Sequence, residues 1–138
     1  MIFARRVFLI AGVYGLIVLL PQYLLEQHIG RDFPPAITHP EYFYGFVGIA
    51  IAWQIVFLFI ARDPARYKPI MIPAIIEKAS FGITVATLFG FGRVSLTMLV
   101  AGAVDLLFGT LFLVAYCRVT RVMARSPDRD TMPTAGPA

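Results

Sequence analysis

Three ionisable residues, Glu77, Lys78 and Asp105, stand inside otherwise apolar stretches of this sequence, and with Gln54 they carry most of its chemical potential. Polar side chains at membrane depth are costly, so each needs a partner or a purpose. A buried carboxyl can hold a cationic or hydroxylated lipophile, or exchange a proton. At about 1.5 Å of helix rise per residue, Glu77 and Gln54 fall about 10 Å from one surface and Asp105 about 18 Å from it, near the midplane. Glu77, Ser80, Thr84 and Thr87 recur at three- and four-residue spacings and predict one polar stripe on a helix. The candidate ligand-binding set is therefore Asp105, Glu77, Gln54, Ser80, Thr84 and Trp53. Asp105 roofs the expected pocket, and Glu77, Gln54 and Trp53 floor it. Lys78 and the nearby arginines neutralise Glu77, which makes Asp105 the better candidate for proton exchange. Lys78 itself is long enough to snorkel to the headgroups.

The same residues admit a plainer reading. Ser and Thr hydroxyls bond helix carbonyls in many membrane helices. Glu77 then pairs with a basic loop side chain, Asp105 with a threonine, and Trp53-Gln54 simply packs.

Other chemistry is weaker. His28 and His39 lie with Glu26, Asp32 and Glu41 in no recognised metal-ligand spacing, and they read as a solvated loop. No metal and no cofactor is expected. Cys117, the single cysteine, sits beside Arg118 and reads as an unmodified thiol rather than a palmitoylation site. There is no CxxC, no haem-like histidine pair, no Gly-rich phosphate loop and no nucleophile elbow. No catalytic residue is assigned, and the balance leans away from an enzyme.

The elements that position these residues follow from composition. Of 138 residues, 59% are hydrophobic and 14% charged, against about 25% charged in average soluble domains. Mean hydropathy is +0.77. The apolar residues come in four long blocks, at about 7–25, 42–61, 70–92 and 94–117. Each is long enough for a transmembrane helix of about 20 residues. Backbone groups in lipid must pair internally, and the ten-residue alternation of a barrel is missing. The expected fold is all-α, a four-helix membrane bundle over residues 1–125 with a flexible tail at 126–138. Residues Leu19-Leu20-Pro21-Gln22 offer no small-x-small cleavage site, so the first span reads as a retained anchor.

Basic residues predict orientation. The N-terminus (Arg5, Arg6), the second connection (Arg62, Arg66, Lys68) and the C-terminal end (Arg118, Arg121, Arg125, Arg129) together hold nine of the twelve Lys and Arg residues. By the positive-inside rule both termini face the cytoplasm, in an inner or plasma membrane. Tyr23, Tyr42 and Tyr44 suit the outer interface, and Tyr67 and Tyr116 the inner one. The net charge of +4 is thus topological and no nucleic-acid partner is expected. Glu26 to Thr38 reads as the longest loop, stiffened by Pro34-Pro35. Thr38-His39-Pro40-Glu41 reads as a helix start, and Phe89 to Arg93 as a tight hairpin.

Small residues predict how the helices meet. Gly82, Ala86 and Gly90 form two small-xxx-small steps on the third span. Ala11-Gly15 on the first span and Gly45, Gly48 and Ala52 on the second invite similar packing. In layout the chain resembles small four-span bacterial membrane proteins of the DoxX-like kind. Its inward-facing acids are similar to those of the sterol-isomerase and sigma-2-receptor group. The resemblance is one of layout, and no site residue is carried over from it. Small multidrug transporters also have four spans, but their essential acid lies in the first helix, which here has none.

The expected function is non-enzymatic binding of a lipophilic small molecule or lipid in the intrabundle pocket. An accessory subunit of a larger membrane complex, or a homo-oligomer, is the alternative, with the Gly82, Ala86, Gly90 face exposed to its partner. A proton-coupled transporter or membrane-embedded isomerase using Asp105 and Glu77 comes third.

Overall fold

The computed structural model describes residues 1–32 and 36–125, so the expected extended path at Pro34-Pro35 and the expected flexible tail at 126–138 lie outside the described residues. Among the described residues there are five helices and no strand: α1 (Ile2–Leu19), α2 (Glu26–Asp32), α3 (Pro40–Arg62), α4 (Met71–Gly90) and α5 (Leu96–Ala124). Short 3-10 turns at Leu20–Leu24 and Lys68–Ile70 extend α1 and precede α4. Four of the helices, all but α2, are long and apolar enough to cross a membrane. Large aliphatic residues such as Ile17, Ile49, Ile83 and Leu107 point outward from all four, as side chains solvated by lipid do. The chain is an all-α, four-helix bundle and a small multi-pass membrane protein.

Local chemistry sets the helix ends. Pro21 lacks an N–H, and α1 tightens there into the 3-10 turn. Pro40 and Glu41 occupy the first turn of α3, as their types dictate. Asp63, extended ahead of Pro64 (φ −144°, ψ 84°), stops it. Between α4 and α5, Gly92 adopts φ +68°. The Gly92 N–H donates to Phe89 O and the Arg93 N–H to Leu88 O, both at 2.9 Å, which closes a Schellman turn. Ser95 Oγ then caps α5 by accepting from the Met98 N–H at 3.3 Å.

Two boundaries differ from the sequence-based expectation. Glu26–Asp32 is a helix rather than part of a loop. Glu26 lies in the first turn and Arg31 in the last, both suited to the helix dipole, and Arg31 pairs with the terminal Asp32 at 3.5 Å. Tyr44 Oη donates to Glu26 Oε2 at 2.7 Å and ties α2 to α3. In addition, α5 continues past Cys117 to Ala124, because Val119, Val122 and Met123 sustain the helix after the first arginine.

The bundle has two tight pairs, α1 with α3 and α4 with α5, joined chiefly through α1 and α5; α3 and α4 barely touch. The half nearer the termini is closely packed. There Phe8, Phe57 and Phe112 are fully buried. Phe8 stacks on Phe112 with centroids 4.0 Å apart, and Phe57 meets Phe112 edge-on at 4.9 Å. Ala4, Ile60, Met71, Ala74 and Val119 complete this core. Arg118 lies over the Phe3 ring, 4.4 Å from its centroid, at the end of the bundle where α1 begins and α5 ends.

Small residues act within the bundle. A Cβ on Gly82 would overlap Leu106 and lie 2.9 Å from Gly102 O, so Gly82 allows the close α4–α5 contact. Ala86 and Gly90 are exposed. The expected continuous small-residue face toward a partner is therefore reduced to those two, with Gly82 consumed inside the chain. Gly45 has open space around it, whereas Gly12 and Gly15 press directly on α3.

Candidate functional site

In the half of the bundle away from the aromatic core, the two helix pairs diverge around a cavity of about 270 Å³. Helix α1 contributes Ala11, Tyr14 and Gly15, and α3 contributes Phe46, Ala50 and Gln54. From α4 come Glu77, Lys78 and Phe81, and from α5 Met98, Ala101, Asp105 and Phe108. Phe46 and Phe81 stack at 6.0 Å across the sparse α3–α4 seam. The wall is mostly apolar; its charged groups and Gln54 gather on the side nearer the aromatic core, and Gln22 lines the opposite end.

Lys78 organises those groups. Its side chain is 8% exposed, against 19% for Glu77 and 18% for Asp105. Lys78 Nζ donates to both Asp105 oxygens, at 3.1 and 3.2 Å. It also lies 3.5 Å from Glu77 Oε2, and 5.5 Å from the centroid of Phe57 beneath it. Gly109 makes room for the Lys78 stem, whose Cβ would be 3.3 Å from a Cβ at that position. The depth difference of about 8 Å that helix counting gives between the two acids is thus bridged by one long side chain.

Gln54 is 1% exposed. Its Nε2 donates to Ala50 O, one turn back on the same helix, at 3.0 Å. A carbonyl accepts only from the NH₂ group, which fixes the amide orientation and leaves Oε1 on the other side. Gln54 Oε1 and Glu77 Oε2 are both buried without a hydrogen-bond donor. Gly15 is the reason Gln54 fits: any Cβ there would overlap the amide group.

Gln54, Glu77 and Asp105 therefore meet at one cavity, and Ser80, Thr84 and Trp53 do not join them. Ser80 and Thr84 are on the exposed side of α4, and Ser80 Oγ donates to Glu77 O within its own helix at 2.9 Å. Thr87 does the same to Ile83 O at 2.8 Å. Trp53 packs against the core, its ring 6.2 Å from Phe57.

Lys78 is the residue the sequence reading misassigned. It does not snorkel outward; two buried carboxylates nearby hold it within the bundle. Among the described residues neither a loop cation on Glu77 nor a threonine on Asp105 is seen; Lys78 pairs with both acids. A signal for this was present. Lys78 stands fourteen residues before Gly92 and Asp105 thirteen after it, so a hairpin pivoting on that glycine brings them face to face. Asp105, preferred from sequence for proton exchange, is doubly bonded to Lys78, whereas Glu77 Oε2 lies 3.5 Å from the same ammonium without a hydrogen bond.

Among the described residues no three His, Cys, Asp or Glu side chains converge as a metal site. His39 Nδ1 lies 3.2 Å from Glu41 Oε1, and Glu26 is engaged by Tyr44. Cys117 is exposed. No family model, curated protein or solved structure matches this chain. The resemblance in layout to DoxX-like proteins and to the sterol-isomerase group finds no support in these comparisons.

Proposed function

We propose that this membrane protein is a non-enzymatic binder of a lipophilic small molecule or lipid, held in the cavity between its helix pairs. The observation that carries this reading is the pairing of an apolar cavity of about 270 Å³ with two buried acceptors that lack donors. Buried polar atoms are almost always satisfied, and a site of this make-up is what small-molecule pockets require. An apolar body fills the space between Tyr14, Phe46, Phe81 and Phe108, and a polar end reaches Gln54 and Glu77. Native mass spectrometry after mild extraction tests this. One small molecule per chain is expected on the wild type, and none on Ala50→Leu, which narrows the cavity. Equal occupancy of both proteins, or of neither, would refute it.

A second reading, proton-coupled transport, is favoured by the charge count: two carboxylates face one ammonium, and a proton on Glu77 balances the third charge. It predicts that Glu77→Gln in liposomes loses pH-gradient-driven movement of the ligand while ligand binding persists. For orientation, the basic end is taken as cytoplasmic in an inner or plasma membrane. Reporter fusions after Ala124 and within Ala36–Thr38 should then report opposite sides. An accessory role in a complex would have to use the outer helix faces, where Ala86 and Gly90 remain exposed.

A further inference from the structure

We infer that the ligand of this cavity is a lipophilic cation with an N–H donor, such as a primary or secondary ammonium on a compact apolar body. The inference rests on the binding reading above and adds the chemistry of the occupant.

Among the described residues, the floor of the cavity holds more acceptor oxygens than donors to meet them. Gln54, 1% exposed, has spent its NH₂ on Ala50 O and leaves Oε1 without a donor. Glu77 Oε2 is likewise without a hydrogen-bond donor. The one strong donor nearby, Lys78 Nζ, bonds both oxygens of Asp105 and reaches Glu77 Oε2 only as an ion pair at 3.5 Å. A ligand carboxylate or carbonyl would meet like groups there. A ligand N–H group would supply a donor to Gln54 Oε1 or Glu77 Oε2, both enclosed by their neighbours and without a hydrogen bond.

Charge points the same way. Glu77, Lys78 and Asp105 sum to one net negative charge when all are ionised, in a region lipid isolates from counterions. Buried charges persist when paired and hydrogen-bonded. A ligand ammonium beside Glu77 supplies the positive charge that Lys78, shared between two carboxylates, leaves short. Above it, Phe46, Phe81 and Phe108 line the cavity and suit an apolar or aromatic body. Gly15 belongs to the same design, since a side chain there would displace the Gln54 amide from the floor. At about 270 Å³ the cavity suits a compact ligand rather than a whole phospholipid.

The test uses the full chain in phosphatidylcholine nanodiscs and three probes of one shape: 4-phenylbutylamine, 4-phenylbutanol and 4-phenylbutyltrimethylammonium. Binding is measured by equilibrium dialysis, with empty nanodiscs subtracted. The amine should bind at least about tenfold more tightly than the alcohol, as charge-assisted over neutral hydrogen bonding implies. Glu77→Gln should bring the amine to within about twofold of the alcohol. Gln54→Leu, which keeps Glu77, should weaken the amine and provides the test if Glu77→Gln fails to fold. Equal binding of amine and alcohol to the wild type overturns the cation inference but leaves the cavity reading standing. Trimethylammonium binding equal to the amine overturns the donor requirement. An amine preference unchanged in Glu77→Gln puts the site elsewhere and overturns the inference. Saturable binding of none of the probes ends both readings.

Discussion

Replacing Lys78 by methionine isolates the interaction that organises the cavity. Methionine keeps the length and apolar stem of lysine and removes only the ammonium. In the wild type, Nζ lies 3.1 and 3.2 Å from the Asp105 oxygens and 3.5 Å from Glu77. At an effective dielectric of about 20, each of the two ion pairs, Lys78 with Asp105 and Lys78 with Glu77, is worth about 5 kcal/mol of attraction. Desolvation of the ammonium and the carboxylates returns much of that. What remains is the cost of stranding two carboxylates, and removing one member of a buried ion pair typically costs about 3–5 kcal/mol. Lys78→Met should therefore lose about 3 kcal/mol or more in SDS-titration unfolding from mixed micelles, followed by circular dichroism. The loss should be relieved in stages by Asp105→Asn and then Glu77→Gln, because a buried charge set replaced throughout by neutral groups is often near neutral in stability. A double-mutant cycle between Lys78→Met and Asp105→Asn should give a coupling well above 1 kcal/mol. A Lys78→Met cost below about 1 kcal/mol, the value of a solvated surface pair, would refute the reasoning. It would mean that lysine reaches water instead of the bundle interior.

Three further outcomes follow from the packing. Gly15→Val drives a branched side chain into the Gln54 amide; it should cost about 1–3 kcal/mol by overpacking, and dialysis should show no amine binding. Phe112→Ala removes a fully buried ring stacked on Phe8, and its cost in the same unfolding assay should be about 2 kcal/mol. That is below the roughly 3–5 kcal/mol of a water-soluble core, since a displaced ring goes to lipid rather than water. Ser95→Ala removes the cap on the Met98 N–H at the start of α5; it should cost about 1 kcal/mol, which Ser95→Asp should restore. No change in stability for Ser95→Ala would show the cap to be replaced by solvent.

Hydropathy made the four spans legible, because lipid demands long apolar helices and little else in this chain resembles one. The start of α3 was legible as well, since proline and glutamate belong in a first turn. Helix α2 was not: seven residues carry no apolar period, and its footing on α3 is one Tyr44–Glu26 bond from a distant part of the chain. In the site, Gln54, Glu77 and Asp105 stood out because polar groups are rare at that depth. Ser80 and Thr84 stood out for the same reason yet face outward, since a short hydroxyl can satisfy itself on its own helix, as Ser80 does. Spacing alone does not separate these cases. Lys78 was misplaced because snorkelling and ion pairing are both open to a long flexible cation. Only the register of the α4–α5 hairpin decides between them.

The central claim is that a small lipophile occupies a defined site between the helix pairs, and a quenching titration tests it most directly. Trp53 is the only tryptophan, so Trp53→Phe gives a silent background. Phe81→Trp then places an indole on the cavity wall, while Leu107→Trp places one at a position 58% exposed on the outside of α5. Both are titrated in nanodiscs with 4-(4-bromophenyl)butylamine, whose bromine quenches on contact. The account predicts saturable quenching at position 81, competed away by 4-phenylbutylamine, and only gradual, uncompeted quenching at position 107. Equal, non-saturating quenching at both positions would show that the probe merely dissolves in the bilayer, and would contradict the site.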